Sequence, residues 1–278
     1  MAQLPLAFYN TFKSETPEKY YPGISSEYLG TVDFRLGYTV TGIYSSEKNT
    51  VVLAYNNNQA DRVNYETFDY IICAVPFSVL RNFDIKPMFS SIKAQAIKEV
   101  NYGNAQKTIF YCSRRFWEEQ GIKGGGSYTD LPVSTIWYSS HYQRNASPND
   151  PGVIVASYNF NLDATRLGNM TDDERFRKVK REVEEVHGLQ PGTLDPVVTG
   201  FKTQNWNSDP LFRGAFCYLT PEQKRLFSWP MILPEYNNRV FFAGEHVSAI
   251  HRWQQGALKS GMEAANAIAH SAAVAQKK

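Results

Sequence analysis

The sequence predicts a mixed α/β chain of the α+β type, and three observations support this class. Between residues 38 and 75, runs of β-branched and aromatic residues alternate with turn-forming residues, which is typical of strands. Residues 171–186 repeat apolar side chains at helical spacing among many charges. Residues 239–248 then form one more strand, which leads into a helix at 253–265. Since this last strand and helix have to pack on the first sheet, we expect a discontinuous domain.

The length and composition suit one large domain or two ordinary ones. A chain of 278 residues with 42% hydrophobic side chains can bury a packed core. The formal net charge is only +2 and no basic stripe is present, so nucleic acid is not an expected partner. No apolar run approaches the roughly 20 residues that cross a bilayer, and residues 1–5 lack the features of a signal peptide. We therefore expect a soluble chain without membrane contact, in an unassigned compartment.

The first third of the sequence predicts one helix and three strands. Residues 4–12 have a helix-like apolar pattern, which Pro17 ends. Strands are expected at residues 38–44, 51–55 and 68–75. The third strand is apolar on both faces, which is typical of a strand in the middle of a sheet.

The middle third begins with a helix over residues 90–100, for which Ser90 or Ser91 is the predicted N-cap and Gly103 the end. A loop rich in glycine is expected to begin at residues 116–119 and to continue through 126. Further strands are predicted at residues 107–112, 134–139 and 152–160. Three cysteines, which are expected to be buried thiols, lie among apolar neighbours at Cys73, Cys112 and Cys217.

The last third begins with a capping box, because Thr171 stands three residues before Glu174 at the start of the helix 171–186. Strands at 197–203 and 214–218 and a helix after Thr220 follow. The final helix carries a face of small side chains that allows close approach to another backbone. That face consists of Ala257, Ser260, Gly261, Ala264, Ala265 and Ile268.

The junction of the last strand and the final helix is a candidate ligand site. The strand ends in a glycine turn with an acidic residue, Gly244 and Glu245, shortly before the helix begins. A helix N-terminus presents unpaired N–H groups and a positive dipole end, which suit a phosphate or a ring carbonyl. Other kinds of site lack support, since the sequence contains neither Gly-x-Gly-x-x-Gly nor Gly-x-Ser-x-Gly. His246 and His251 are five residues apart, a poor spacing for a metal pair, so no metal is expected.

Four motifs stand in the order seen in flavin amine oxidases, and the chain resembles that superfamily. They are FDYIICAVP at 68–76, VNYGNAQK at 100–107, FWEEQGIKGG at 116–125 and FFAGEH at 241–246. Through residues 116–125, 129–132 and 152–156 the chain is most similar to the L-amino acid oxidases. In similar oxidases a Rossmann phosphate loop, an arginine that clamps the substrate carboxylate and a helical entry domain precede the matching region. The chain therefore resembles the C-terminal portion of an L-amino acid oxidase.

The resemblance implies FAD as the cofactor and assigns residues to it. Glu245, with Gly244, matches a position near the ribose and pyrophosphate, and Val40 matches a backbone contact to adenine, although it is otherwise a plain core residue. The helix start at Arg252, Trp253 and Gln254 matches the segment facing the flavin pyrimidine carbonyl. The aromatic residues that flank the flavin ring match Trp206 and Trp253, which on sequence alone would be read as core.

The resemblance also assigns a catalytic residue and a substrate wall. Lys107 matches the lysine that holds a water against flavin N5; otherwise it would be a solvated or ion-paired lysine. Tyr158 matches the tyrosine that binds the substrate carboxylate, with Ser157 as a competitor because the local match needs a one-residue gap. Side-chain pocket positions are matched by Phe160 and Phe216, together with Trp253. These aromatic walls suggest a bulky apolar or aromatic substrate side chain.

The expected organisation is a partial FAD-binding domain of the glutathione-reductase type, without its Rossmann phosphate loop, and a mixed-sheet substrate-binding domain. The first is assigned to residues 1–100 and 235–270, the second to 101–234, and a tail to 271–278. The expected partners are an amino acid, dioxygen and a second polypeptide that carries the N-terminal FAD-binding half, in an oligomer. Activity is expected to need that half.

The function that the resemblance implies is oxidative deamination of L-amino acids to keto acid, ammonia and hydrogen peroxide. An amine or polyamine oxidase of the same fold is one alternative. A catalytically silent fragment or partner subunit is the other.

Overall fold

The computed structural model describes residues 3–57, 62–139 and 147–275. The helices are α1 (Gln3–Phe12), α2 (Phe77–Leu80), α3 (Ser91–Glu99), α4 (Phe116–Glu119), α5 (Asn161–Gly168), α6 (Asp172–Val186), α7 (Pro221–Phe227) and α8 (Gln254–Ala275). The strands are β1 (Tyr38–Ser45), β2 (Val51–Asn57), β3 (Val63–Phe68), β4 (Ile71–Cys73), β5 (Asp84–Lys86), β6 (Asn101–Gly103), β7 (Ala105–Cys112), β8 (Gly125–Tyr128), β9 (Thr135–Tyr138), β10 (Gly152–Phe160), β11 (Val198–Asn205), β12 (Phe216–Tyr218) and β13 (Val240–Phe242). The predicted mixed α/β class is confirmed.

Two sheets and two strand pairs organise the described residues. The first sheet has the order β3-β2-β1-β5, with β1 and β5 parallel and the other pairs antiparallel. The second has the order β11-β7-β10-β9-β8 and is antiparallel throughout. β12 pairs with β6 in antiparallel fashion, and β13 pairs with β4 in parallel. The parallel pair joins strands that are far apart in the sequence.

Two large hydrophobic cores accompany these sheets. One is formed by buried residues between Ile43 and Val100 and between Cys217 and Val247. The other, formed by residues between Phe110 and Val197, lies between the five-stranded sheet and α6. Cys217, Phe227 and Met231 join the first core, although they lie in the stretch assigned to the second domain, because β12 pairs with β6. The domain limits themselves stay a prediction. The three cysteines are free and buried, as expected.

The capping box at the start of α6 is confirmed. The hydroxyl of Thr171 accepts the backbone N–H of Glu174 at 3.3 Å, and the Glu174 carboxylate accepts the backbone N–H of Thr171 at 3.0 Å. This reciprocal pair satisfies N–H groups that have no partner within the helix. α6 buries Val179 and Val183 against the second core, so its start fixes the position of that core.

Replacing Thr171 with alanine should lower the free energy of unfolding of the chain by about 1 kcal/mol, because the cap is lost. Urea denaturation followed by circular dichroism measures the change. Thr171→Ser is the matched control and should retain most of the stability, because its hydroxyl can accept the same N–H. Equal stability of the alanine and serine variants would show that the cap does not stabilise the chain.

The prediction of a single strand over residues 68–75 is wrong. β3 ends at Phe68, which pairs with Val51, the first residue of β2. No residue of β2 remains to pair with the chain beyond Phe68, so the backbone leaves the first sheet. β4 then pairs with β13 alone among the described residues. The last strand therefore returns to β4, which lies within the stretch 38–75 that it was expected to rejoin, although β4 is not hydrogen-bonded to β1, β2 or β3.

Three further boundaries differ from prediction. Ser90 occupies the N-cap position of α3 without a side-chain capping hydrogen bond, and α3 ends at Glu99, since Val100 is already extended. Gly103 lies in β6 opposite Phe216. In the stretch predicted as a glycine-rich loop, Phe116–Glu119 form α4, and the glycines at 125 and 126 belong to the edge strand β8. α8 continues to Ala275, into the predicted tail, whose last three residues lie outside the described ranges.

The small-residue face of α8 is confirmed at Ser260 and Ala264, whereas its first buried position is Gly256, which was not predicted. The buried positions are Gly256, Ser260 and Ala264, which stand four residues apart on one side of the helix. A Cβ added at Gly256 would overlap the carbonyl oxygen of Ile250 and lie 3.0 Å from its carbonyl carbon. A Cβ added at Gly261 would meet no atom within 4 Å. Close backbone approach therefore occurs at Gly256, not at Gly261.

The segment before β1 packs weakly on the rest of the chain. Among residues 3–16 and 18–37 no side chain is buried. Several large apolar side chains are exposed there, among them Leu6, Phe8 and Tyr28. Contiguous exposed apolar surface commonly marks an interaction site. Every helix in the described ranges is too short or too polar to cross a bilayer.

Candidate functional site

β7 and β10 bring a lysine and a tyrosine to one face of the second sheet. Lys107 and Tyr158 are paired residues in the antiparallel register, so their side chains project to the same side. The Lys107 Nζ lies 4.2 Å from the centre of the Tyr158 ring and 5.8 Å from that of Trp206. Trp206 is held beside β7 because its backbone N–H donates to the backbone carbonyl of Ala105 at 3.3 Å. The ammonium group therefore contacts two aromatic rings.

Lys107 is a cation in a weakly hydrated place. Burial lowers the pKa of Lys107 below its usual range, because desolvation disfavours the ammonium form. Among the described residues no carboxylate lies within ion-pair distance of its Nζ. Such an amine is a suitable donor to water or to a bound group, since its protons are not engaged by an acid.

The structure distinguishes Tyr158 from its competitor Ser157. Ser157 is fully buried, and its hydroxyl donates to the side-chain oxygen of Gln106 at 3.0 Å and also contacts Asn159. It thus points into a polar interior on the opposite face of β10. Tyr158 faces Lys107, so the tyrosine and not the serine belongs to the candidate site.

An aromatic row leads from Tyr158 to the chain's last turn. The ring centres of Tyr158 and Phe160 are 4.6 Å apart, and those of Phe160 and Phe216 are 6.0 Å apart. At the far end the guanidinium of Arg252 lies 4.3 Å from the centre of the Phe216 ring. Burial raises the pKa of Tyr158, and the charge of Arg252 offsets part of this rise. The aromatic row thus consists of three rings, with a cation at each end.

Glu245 ties the last turn to β12. Its Oε1 accepts the N–H of Cys217 at 2.8 Å, and its Oε2 accepts the N–H of Arg252 at 2.7 Å. The imidazole Nδ1 of His251 lies 3.7 Å from Oε2. Burial acts to raise the pKa of Glu245, but His251 and the two backbone N–H groups outweigh it and bring the pKa below its usual range. The carboxylate therefore stays charged and orients the turn that precedes α8.

The backbone of this turn is unusual at two positions. Gly244 has φ 131°, and a Cβ there would lie 2.6 Å from the Nδ1 atom of His246. Arg252 has φ 73°, in the left-handed region that residues other than glycine and asparagine rarely adopt. Trp253 and Gln254 follow, exposed, at the start of α8. The helix N-terminus with its unpaired N–H groups is thus open beside Glu245.

These contacts unite most of the residues predicted for the site. The lysine, the aromatic rings and the last turn form one connected set, which comprises Lys107, Tyr158, Phe160, Trp206, Phe216, Gly244, Glu245 and Arg252. Trp253 and Gln254 follow directly in the chain. Val40 lies in β1, opposite Tyr55, in a sheet that contains no other predicted site residue. Its assignment to the cofactor stays a prediction.

Sequence reasoning missed two features of the site. The side chain of Arg252 was assigned no role, because only the backbone there was matched to the cofactor. The buried polar set behind β10, in which Gln106 donates to Thr108 at 2.6 Å and to Thr203 at 3.2 Å, was also missed. Alternation of polar residues along β7 was the available signal, since residues two apart in a strand share a face.

Two buried histidines that do not belong to the aromatic row are neutral near pH 7. Burial lowers the pKa of both His187 and His246 to about 4. His187 lies in the second core, where its Nε2 is 2.8 Å from the hydroxyl of Tyr138 and its Nδ1 is 2.5 Å from the Oε1 atom of Gln120. His246 lies at the end of β13 against the ring of Phe77, 4.8 Å between ring centres.

Lowering the pH from 7 to 5 should reduce the stability of the chain by roughly 1 kcal/mol or more for each of these histidines. The folded pKa lies below the unfolded value of about 6.5, so the unfolded state takes up protons first. The stability that each neutral histidine contributes is therefore fully present above the unfolded pKa and is lost as the pH drops toward the folded pKa. Urea denaturation at several pH values measures the slope, which should be shallower in His187→Gln. An unchanged slope in that variant would contradict the role of His187.

Comparison with known proteins gives a family and relatives. Residues 22–269 match the protein family described as "Flavin containing amine oxidoreductase". The L-amino-acid oxidase of Siganus canaliculatus is 33% identical over 219 residues, which are 78% of this chain and 40% of the relative. The L-amino-acid oxidase of Daboia siamensis is 32% identical over 218 residues, 78% of this chain and 52% of the relative. The chain thus spans about half the length of these relatives, or less.

Solved structures share the fold at low identity. Cyclohexylamine oxidase from Brevibacterium oxydans IH-35A superposes with a TM-score of 0.64 at 19% identity, covering 87% of this chain and 49% of that one. A putrescine oxidase bound to putrescine superposes with a TM-score of 0.67 at 17% identity, covering 83% and 48%. At such identities the comparison concerns the fold alone.

Proposed function

The chain belongs to the family of flavin-containing amine oxidoreductases, and on that premise we propose that it is the C-terminal portion of an FAD-dependent L-amino acid oxidase. The observation that carries the proposal is the pairing of a desolvated lysine with a tyrosine at the end of an aromatic row, Lys107 and Tyr158. The overall reaction converts an L-amino acid, dioxygen and water to a keto acid, ammonia and hydrogen peroxide.

The residues of the last turn fit a flavin cofactor. The open N-terminus of α8 at Trp253 and Gln254 offers N–H groups and a positive dipole end to a flavin carbonyl, and the exposed Trp253 ring offers a stacking surface. Gly244 lets the backbone adopt a φ of 131° at the end of β13. FAD, when bound, supplies hydride acceptance and electron transfer to dioxygen, whereas the protein supplies orientation and electrostatics.

The chain's own groups would position the substrate. The hydroxyl of Tyr158 binds the substrate carboxylate, and its ring and that of Phe160 exclude water from one side of the reacting carbon. Lys107 holds a water beside the reacting centre, which its desolvated ammonium can orient because no carboxylate competes for it among the described residues. Trp206 limits the movement of that ammonium. The position of Tyr158 and Lys107 on one face of the sheet supports these roles.

A second polypeptide with the N-terminal half of the FAD-binding fold is part of the proposal. β4 pairs only with β13 among the described residues, so its other edge presents backbone N–H and C=O groups to a further strand. The exposed apolar side chains of residues 3–37 provide additional surface.

Co-expression with a polypeptide from the same organism that carries Gly-x-Gly-x-x-Gly should give a yellow complex with the absorption bands of oxidised flavin. The complex should release peroxide with L-amino acids and not with the corresponding amines, which lack the carboxylate. Each chain expressed alone is the control and should bind far less flavin. A colourless complex would favour a silent partner subunit, and peroxide from amines alone would favour an amine oxidase.

A further inference from the structure

Arg252 occupies a backbone conformation that suits glycine. Its φ of 73° lies in the left-handed region, and its N–H is held by the Oε2 atom of Glu245 at 2.7 Å. The conformation is thus imposed by the turn, whichever residue stands there. An arginine in such a position is strained, and strained positions are concentrated at functional sites.

The side chain of Arg252 is free to bind an anion. The guanidinium is exposed, lies 4.3 Å from the centre of the Phe216 ring, and has no carboxylate partner among the described residues. Arg115 and Arg175, in contrast, form ion pairs at 2.8 and 3.1 Å. Contact with an aromatic face orients a guanidinium and leaves its N–H edges available, an arrangement that suits a carboxylate bound through two hydrogen bonds.

Arg252 lies at the opposite end of the aromatic row from Lys107. Phe160 and Phe216 separate it from the ring of Tyr158, although its charge still acts on that hydroxyl. Under the proposed function, Tyr158 receives the α-carboxylate, and the substrate side chain extends along the row. The group that this side chain presents at its end then meets the guanidinium.

We propose that Arg252 is a specificity-determining residue that binds the side-chain carboxylate of an acidic L-amino acid. The inference rests on the proposed function, because it uses Tyr158 as the site of the α-carboxylate. It replaces the expectation of a bulky apolar side chain, which considered the aromatic walls without the cation at their end. The phenylalanine rings then serve to hold the methylene groups of the substrate.

The test is direct binding of L-glutamate and L-glutamine to the full chain, followed by tryptophan fluorescence. These ligands differ only in the side-chain carboxylate, and Trp253 adjoins Arg252. The chain should bind glutamate at least about tenfold more tightly than glutamine, which corresponds to about 1.4 kcal/mol. Arg252→Gly should abolish this preference without unfolding the chain, because glycine favours the observed φ. Arg252→Asn, which also tolerates that φ, should behave in the same way.

Arg213→Gly is a matched control, because Arg213 is also an exposed arginine with positive φ, 50°, and lies three residues before Phe216. It should leave the preference for glutamate unchanged. The inference is overturned if the chain binds glutamate no better than glutamine, binds neither, or keeps its preference in both Arg252 variants. Binding needs no turnover, so a failure of the flavin experiment with an intact glutamate preference would reject the oxidase and retain the acidic-ligand site.

Discussion

Replacing Gly256 with alanine should lower the free energy of unfolding of the chain by about 3 kcal/mol. Gly256 is buried in the first turn of α8, where an added Cβ would overlap the carbonyl oxygen of Ile250 and the hydroxyl of Ser248. The backbone of residue 250 cannot rotate away freely, because its N–H donates to Ser248 Oγ at 3.0 Å. The methyl group would therefore push α8 away from the turn that contains Glu245.

The matched control is Gly261→Ala, five residues further along the same helix. A Cβ at Gly261 meets nothing within 4 Å, so this variant should gain up to about 1 kcal/mol from the higher helix propensity of alanine. Thermal and urea denaturation of both variants give the comparison. If the two substitutions changed stability in the same direction, the close contact at Gly256 would not be a real constraint. In the complex with the second polypeptide, Gly256→Ala should also reduce flavin content.

Replacing Lys107 with methionine should lower turnover of L-amino acids by the assembled enzyme about 100-fold. This factor is the lower end of the rate enhancement that a positioned proton donor or acceptor contributes, about 100-fold to 10,000-fold. The same change should not destabilise the chain at pH 7. Burial lowers the pKa of Lys107, so the unfolded state binds its proton more tightly than the folded state does. The charged lysine therefore opposes folding at pH values below its folded pKa, and methionine removes this cost.

Two measurements separate these effects. Peroxide release reports turnover, and urea denaturation of the chain alone reports stability. Stability of the unmodified chain should rise with pH between the folded pKa of Lys107 and the ordinary lysine value, and this rise should be smaller in Lys107→Met. Lys202→Met, an exposed lysine on the neighbouring strand β11, is the control and should change neither property. Full turnover in Lys107→Met would remove Lys107 from the mechanism.

Local patterns predicted the elements that depend on local interactions. β10 was expected at residues 152–160 and spans Gly152–Phe160, because a run of nine residues, five of them β-branched or aromatic, is bounded by Pro151 and the start of α5. α6 was expected with its capping box, since Thr171 and Glu174 satisfy each other within one turn. The resemblance to a known family identified most residues of the candidate site. Periodicity alone would have assigned its aromatic residues to the hydrophobic core.

Features that depend on distant partners were not predictable. Phe68 ends β3 only because β2 begins at Val51, a matter of register between two strands. The buried side of α8 passes through Gly256 because the carbonyl of Ile250 lies there, whereas the helical pattern alone indicated Gly261 and not Gly256. The role of Arg252 depends on Phe216, 36 positions earlier in the sequence, so no local motif could indicate it.

The parallel pairing of β4 with β13 has a consequence for the order of folding. Ile71 pairs with Val240, so this contact closes a loop that contains most of the chain. The loop loses conformational entropy before the contact contributes to stability. The hairpin of β1 and β2 and the neighbouring strands β9 and β10 join residues much closer in sequence. Since folding rates fall as contacts become less local, we expect the five-stranded sheet to form first and the last turn, with Glu245 and Arg252, to be assembled late. The candidate site would then be completed in the final step of folding.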